Sequence, residues 1–443
     1  MAETDHRLPP PDPAAIVTPA DSGGGAPPDR PPPLASGRRH HDLDALRAFA
    51  MGLGIVLHAA IPFVPFRRGG TVGDDVLDHL FLFIHGFRMP LFFLLSGFFT
   101  AMLWRRRGLG PLVRHRLRRV GLPLLVSLGT ILPAVWVTGV VGYVVADVAG
   151  VLDLDDAASI EDVLDDDSVL ARLGAAVDDT APADEDDGFG FAHLWFLWFL
   201  LWLVAGFAVV AWPLRRLWPN GWPRGPTEVV RWLLIPAAVG PQLLMREPVF
   251  GPDTSEGLLP EPQVLAFYAL FFAFGAMSHA AGDGPTPLER IGRWWWLQAA
   301  IGAALYPLVI AWMIDGAAGR AAVGQVAFAW LVSFALIGAF RRYLAGERFR
   351  VRYLSDASYW LYLTHLPLVL LLQGVFTLTP LPPLLETSIT VAVTVALLLV
   401  VYGAAVRYSA VGTLLNGQRT RPADDAARRP PPPPPVVGSA TLR

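Results

Sequence analysis

The 443-residue chain contains no cysteine, which excludes disulfides, thiolate metal sites and cysteine nucleophiles. It also lacks lysine, all 35 of its basic residues being arginine. Schiff-base chemistry and a phosphate-loop lysine are thereby excluded. Charge of either sign is scarce, at 16% of residues against 53% hydrophobic. The ten histidines form no H-E-x-x-H or His-x-His pattern in an apolar run, so no metal site is expected. No G-x-S-x-G nucleophile elbow occurs. The first apolar run carries no small-residue cleavage site and is expected to stay in place as a membrane helix.

Long apolar runs are abundant. Ten of them approach the roughly 20 residues that cross a bilayer, at about 43–65, 77–103, 120–146, 193–214, 229–245, 262–281, 294–314, 322–340, 356–377 and 384–406. The expected fold is an all-α polytopic membrane protein of about ten transmembrane helices. Arginines then fix its sidedness, because cytoplasmic loops are enriched in them. Arg105, Arg106, Arg107, Arg114, Arg116, Arg118 and Arg119 lie between the second and third runs, and Arg341, Arg342, Arg348, Arg350 and Arg352 between the eighth and ninth. Both termini are therefore expected on the cytoplasmic side. The connection 147–192 holds one arginine and fifteen acids, which predicts an acidic extracytoplasmic loop. Its acids lack the spacing of a calcium loop. Residues 1–40 and 411–443 are Pro-rich and read as disordered tails, leaving 41–410 as the membrane domain.

Ionisable groups inside such runs are costly and mark function. The first run carries Asp44 and Arg47 near one end and His58 well inside. Eleven residues separate Arg47 from His58, which leaves them about 20° apart on a helix and about 16 Å apart in depth. The second run holds His85 and, near its middle, Arg88, which must face the bundle interior. Counted from the outer end, His58 and His85 lie at similar depth and can share one cavity. Ser96 lies eleven residues beyond His85 on the same face. The ninth run carries Tyr362 and His365, and His193 opens the Trp-rich fourth run. Each histidine can also be read as a packing group bonded to a neighbouring helix, and the tryptophans as an interfacial belt. What the residues offer chemically is neutral imidazole as a general base, with arginine to hold anions.

These residues resemble the acyltransferase-3 family of integral membrane proteins. Arg47 and His58 match the family's basic residue, ten residues, then histidine; FFLLSGFF, with Ser96, matches its second-helix segment. Arg116 and Arg119 match its Arg-x-x-Arg, and Ser358 to His365 its late helix. Within the family, FIHGFRMPLFFLLSGFF, HLWFLWFL and YWLYLTHLPL are similar to the branch that succinylates periplasmic glucans. The resemblance implies transfer of an acetyl- or succinyl-class group from cytoplasmic acyl-CoA, a substrate rather than a bound cofactor, to an extracytoplasmic hydroxyl, with a glycan as the expected acceptor. Together with the reading of the residues, this gives expected catalytic roles for His58, Arg47, Asp44, His85 and Arg88, and expected substrate-binding roles for Ser96, Arg116, Arg119, His193, Tyr362 and His365. A secondary transporter or flippase is the rival class. It predicts internal repeats and broken helices in matching halves, and no repeat is visible.

Overall fold

A computed structural model describes residues 40–63, 76–151, 190–217, 224–246, 249–279, 286–346, 348–378 and 381–417. The N-terminal tail up to residue 39, Arg67 and Arg68, most of the acidic connection and the chain beyond 417 lie outside the described residues. Those that are described form helices and connections, with no strand among them.

Among the described residues, eight helical stretches are long and apolar enough to cross a membrane. The chain is threaded through α1 (His41–Ala60), α2 (Val76–Arg107) and α3 (Leu109–Arg116). A π-helical turn at Leu117–Gly121 joins α3 to α4 (Leu122–Val151). Beyond the acidic connection come α5 (Trp195–Leu217), α6 (Arg224–Ala237), α7 (Val239–Leu243) and α8 (Pro262–Met277). Then follow α9 (Pro287–Ile291), α10 (Trp295–Ile314), α11 (Ala318–Leu344), α12 (Phe349–Phe376), α13 (Pro383–Val401) and α14 (Ala410–Asn416).

Two of the ten expected spans fall short of this. The 262–281 run yields the apolar, 16-residue α8. The 229–245 run is divided between α6 and α7 at Ala238. Pro236 and Pro241 flank that break, and each removes a backbone donor from the helical ladder. The tail expected from 411 begins with α14, whose first turn is capped by Ser409 accepting from the Gly412 N–H at 3.4 Å. Asn416 Nδ2 donates to the Asp356 carbonyl at 2.7 Å and holds α14 against α12.

Burial orders the bundle. In its most apolar stretch α2 is 78% buried, whereas α4 and α10 are each 17% buried. Helix α2 is thus the central element, packed on α8, α1 and α11, while α4 and α10 present apolar faces outward. The contact between α2 and α8 is made by glycine from both sides. A Cβ on Gly97 would collide with the Phe272 carbonyl, and one on Gly275 with the Leu94 carbonyl. Only small residues permit such an approach of two helix backbones. Helix α1 lies against α2, α11 and α12, and α12 against α4 and α13. The helices carrying the embedded histidines are therefore neighbours.

Candidate active site

One cavity collects the polar groups that the apolar runs conceal. It spans about 850 Å³ of space free of atoms, including its open mouth, and is lined by His58, His85, Arg88, His193, Tyr362 and His365. His58 comes from the last turn of α1, His85 and Arg88 from the middle of α2, and Tyr362 and His365 from one face of α12. His193 sits on the 3₁₀ turn Ala192–Leu194 that opens α5. Ala192, beside it, has φ +44°. Such left-handed strain in a residue other than glycine persists where the surroundings enforce it.

Three imidazoles form the heart of the cavity. Ring centroids are 5.2 Å apart for His58 and His365, 5.1 Å for His193 and His365, and 6.4 Å for His58 and His193. Backbone carbonyls, which only accept, set the tautomers. His193 Nε2 donates to Leu363 O at 3.1 Å, and His365 Nδ1 to Tyr362 O at 2.8 Å. The opposite nitrogens, His193 Nδ1 and His365 Nε2, are buried and have no hydrogen-bond partner. In a neutral ring each carries a lone pair available to a ligand proton. His85 Nδ1 likewise donates to Phe250 O at 2.9 Å. The end of α1 is held by Gln373, whose Nε2 donates to the His58 and Ala59 carbonyls at 3.1 and 3.3 Å.

Arg88 crosses towards α1 beneath these rings. Its Nη1 fills the place where a Cβ on Gly54 would stand, one turn before His58. Tyr362 and Tyr268 lie near its guanidinium. Tyr362 also donates to the His193 carbonyl at 2.7 Å, joining α12 to the turn that carries the histidine. The cavity thus sets one guanidinium among four imidazoles.

Other sequence-predicted residues gather at the arginine-rich end of the bundle, away from the cavity. Arg47 lies 3.8 Å from Asp44 on the first turns of α1 and close to Arg116. Arg116 donates from Nη2 to Thr100 Oγ1 at 2.7 Å, and Thr100 in turn donates to the Ser96 carbonyl at 2.7 Å. Ser96 is buried and enters this chain through its backbone, not its hydroxyl. Arg119, in the π turn, offers its carbonyl to the Tyr359 hydroxyl at 3.0 Å. Tyr359 stands one turn from Tyr362 on α12, their rings stacked at 6.4 Å. Arg47 and His58 are therefore on one helix, as their spacing predicts, but serve opposite ends of a polar column.

Comparison with known proteins gives this arrangement a family. The acyltransferase domain of the Acyl_transf_3 family matches residues 40–404. The chain belongs to the acyltransferase-3 family. It is 26% identical over 359 residues to glucans biosynthesis protein C of Escherichia coli O6:K15:H31, covering 77% of this chain and 84% of that protein. The protein of that name from Salmonella paratyphi B is 27% identical over 354 residues, covering 76% and 84%. No solved structure matches the chain. As a member of this family it is a multi-pass membrane acyltransferase.

The cavity also has parts that the sequence did not disclose. Thr254 and Glu256, from the connection between α7 and α8, line it. So does Trp195, which turns inward, whereas Trp202 on the same helix is exposed. The connection carries Glu247, Asp253, Glu256 and Glu261 between two apolar runs, a signal too common in loops to single out any one of them. Trp195 and Trp202 are indistinguishable until the rotation of α5 is known.

Proposed function

We propose that this protein is an O-acyltransferase that moves an acetyl- or succinyl-class group from cytoplasmic acyl-CoA to an extracytoplasmic glycan hydroxyl. The observation that carries the proposal is the polar column through the apolar bundle, with arginines at one end and the imidazole cavity towards the other. Arginine forks suit phosphate, and Arg116 and Arg119 are assigned to the nucleotide phosphates of the donor, with Arg47 and Asp44 beside them. That end holds the arginine-rich loops, which the charge bias of membrane proteins puts in the cytoplasm, where acyl-CoA is made. The acceptor enters from the other end. The names of the relatives favour a glucan acceptor.

In this reading His58 takes the proton from the acceptor hydroxyl as its oxygen attacks the thioester carbonyl. Arg88 stabilises the oxyanion that forms. When the carbonyl re-forms, the C–S bond breaks, and the coenzyme A thiolate leaves and takes up the proton held by His58. The products are an ester and free coenzyme A. His85, His193 and Tyr362 hold the acceptor, and His365 keeps the ring of His58 in place.

Mass spectrometry of surface glycans from wild-type and deletion cells tests the proposal. Loss of a succinyl or acetyl ester from a glycan on deletion is the expected result. A missing ester on a lipid or small metabolite instead would exclude the glycan acceptor and leave acyl transfer standing.

A further inference from the structure

We propose that the segment from Val249 to Glu261 is the acceptor-recognition element, with Glu256 and Thr254 binding neighbouring hydroxyls of an uncharged, polyhydroxylated acceptor. The proposal rests on the acyltransferase reading above and identifies which residues select the acceptor. The segment connects α7 to α8 at the end of the bundle opposite the arginine-rich loops. It has no regular secondary structure, so its backbone groups need partners from elsewhere.

Those partners come from five directions. Gly251 N donates to Gln325 Oε1 at 2.7 Å, and Gln242 Nε2 donates to Gly251 O at 3.0 Å. His85 holds the Phe250 carbonyl, and Tyr268 donates to Asp253 O at 3.3 Å. Phe191 N donates to Glu256 O at 2.9 Å, and Trp198 Nε1 to Leu258 O at 2.9 Å. Asp253 Oδ2 accepts from Arg246 N, just before the segment, at 2.6 Å, and within it Ser255 Oγ accepts from Glu261 N at 3.0 Å. Phe250 is fully buried and seated on Gly86, where a Cβ would strike its ring. A connection fixed this way holds a geometry and does not merely link two helices.

That geometry delivers Thr254 and Glu256 to the wall of the cavity. Glu256 is exposed, so it stands at the mouth, accessible both to solvent and to whatever enters. Its backbone bond to Phe191 ties it to the chain two residues before His193. The remaining polar wall consists of one guanidinium, the imidazoles and the Tyr362 phenol. A polyol donates several hydrogen bonds, and a carboxylate accepts from two hydroxyls at once. A threonine hydroxyl both donates and accepts. Trp195, Phe81, Phe92 and Phe196 supply apolar faces for the C–H side of a sugar ring. A carboxylate at the entrance also repels anions, which disfavours phosphorylated acceptors.

The test uses the purified full-length protein with Glu256→Gln, Glu256→Ala and Thr254→Ala. The acceptor KM is measured at saturating acyl-CoA, donor affinity separately, and binding of a glucose oligosaccharide by titration calorimetry. Glu256→Ala is expected to raise the acceptor KM at least 10-fold and to weaken oligosaccharide binding equally, with donor affinity unchanged. Glu256→Gln should fall between, because an amide oxygen still accepts. An unchanged acceptor KM or oligosaccharide affinity in Glu256→Ala overturns the proposal, and so does an equal loss for donor and acceptor. If the wild-type protein binds the oligosaccharide through Glu256 but transfers no acyl group, the acyltransferase step fails and the recognition site stands.

Discussion

At the residue level, the proposed donor site turns on Arg116. It is held by Thr100 at 2.7 Å, lies near Arg47, and its Nε has no hydrogen-bond partner. A buried guanidinium with an unused donor beside a second cation is suited to an anion. Removing a charged hydrogen bond costs about 1.5–3 kcal/mol, roughly a 10- to 100-fold change in affinity. Arg116→Ala is therefore expected to raise the KM for acyl-CoA by that factor, with Arg116→Lys in between because lysine lacks the fork. Steady-state kinetics with varied donor measures both. An unaltered donor KM would reduce the arginine to a marker of sidedness. At this scale the sequence was partly legible. Arg47, His58, Arg88 and His365 stand out because charge is so rare in apolar runs. Ser96 could not be placed, since spacing gives its helical face but not whether hydroxyl or carbonyl does the bonding. The unpaired nitrogens of His193 and His365 depend on carbonyls of another element or another turn.

Between elements, the contact of α1 with α2 sets the distance from Arg88 to His58. Gly54 and Gly52 lie on the same helix, yet a Cβ on Gly54 meets the Arg88 guanidinium while one on Gly52 meets nothing within 4 Å. Gly54→Ala should displace Arg88 and lower kcat, by up to about 10²-fold if the shift reaches 1 Å. Gly52→Ala should leave kcat unchanged and add slightly to helix stability. Equal effects in the two variants would disconnect Arg88 from catalysis. Apolar length predicted most of the helices well, because a bilayer demands it. It did not disclose the break within 229–245, where Pro236 and Pro241 act through backbone geometry that hydropathy does not weigh. The 249–261 connection was passed over because what holds it in place, hydrogen bonds to Gln242, Gln325, Tyr268 and His85, cannot be read from its own sequence. All four of those partners belong to other elements.

For the whole molecule, the account requires two ends with different access, and the absence of cysteine makes this testable without background. Leu259, at 76% exposure, lies on the connection beside the cavity, and Phe349, at 74%, opens α12 at the arginine-rich end. In intact cells a membrane-impermeant maleimide should label Leu259→Cys and spare Phe349→Cys until the cells are opened. The reverse pattern would invert the assigned sidedness. Overall class and family were legible from composition and motif spacing, since both are local in sequence. The meeting of α1, α2, α5 and α12 around one cavity was only partly so, as it depends on how the helices are rotated. Transfer across the bilayer is measured in proteoliposomes with labelled succinyl- or acetyl-CoA added outside and glucan enclosed in the lumen. Protein whose arginine-rich end faces outward should carry label into the luminal glucan. His58→Ala, inserted to the same level and orientation, should lower that rate by about 10²–10⁴-fold, the usual contribution of a general base. A His58→Ala rate near that of the wild type would contradict the assignment of His58 as the base.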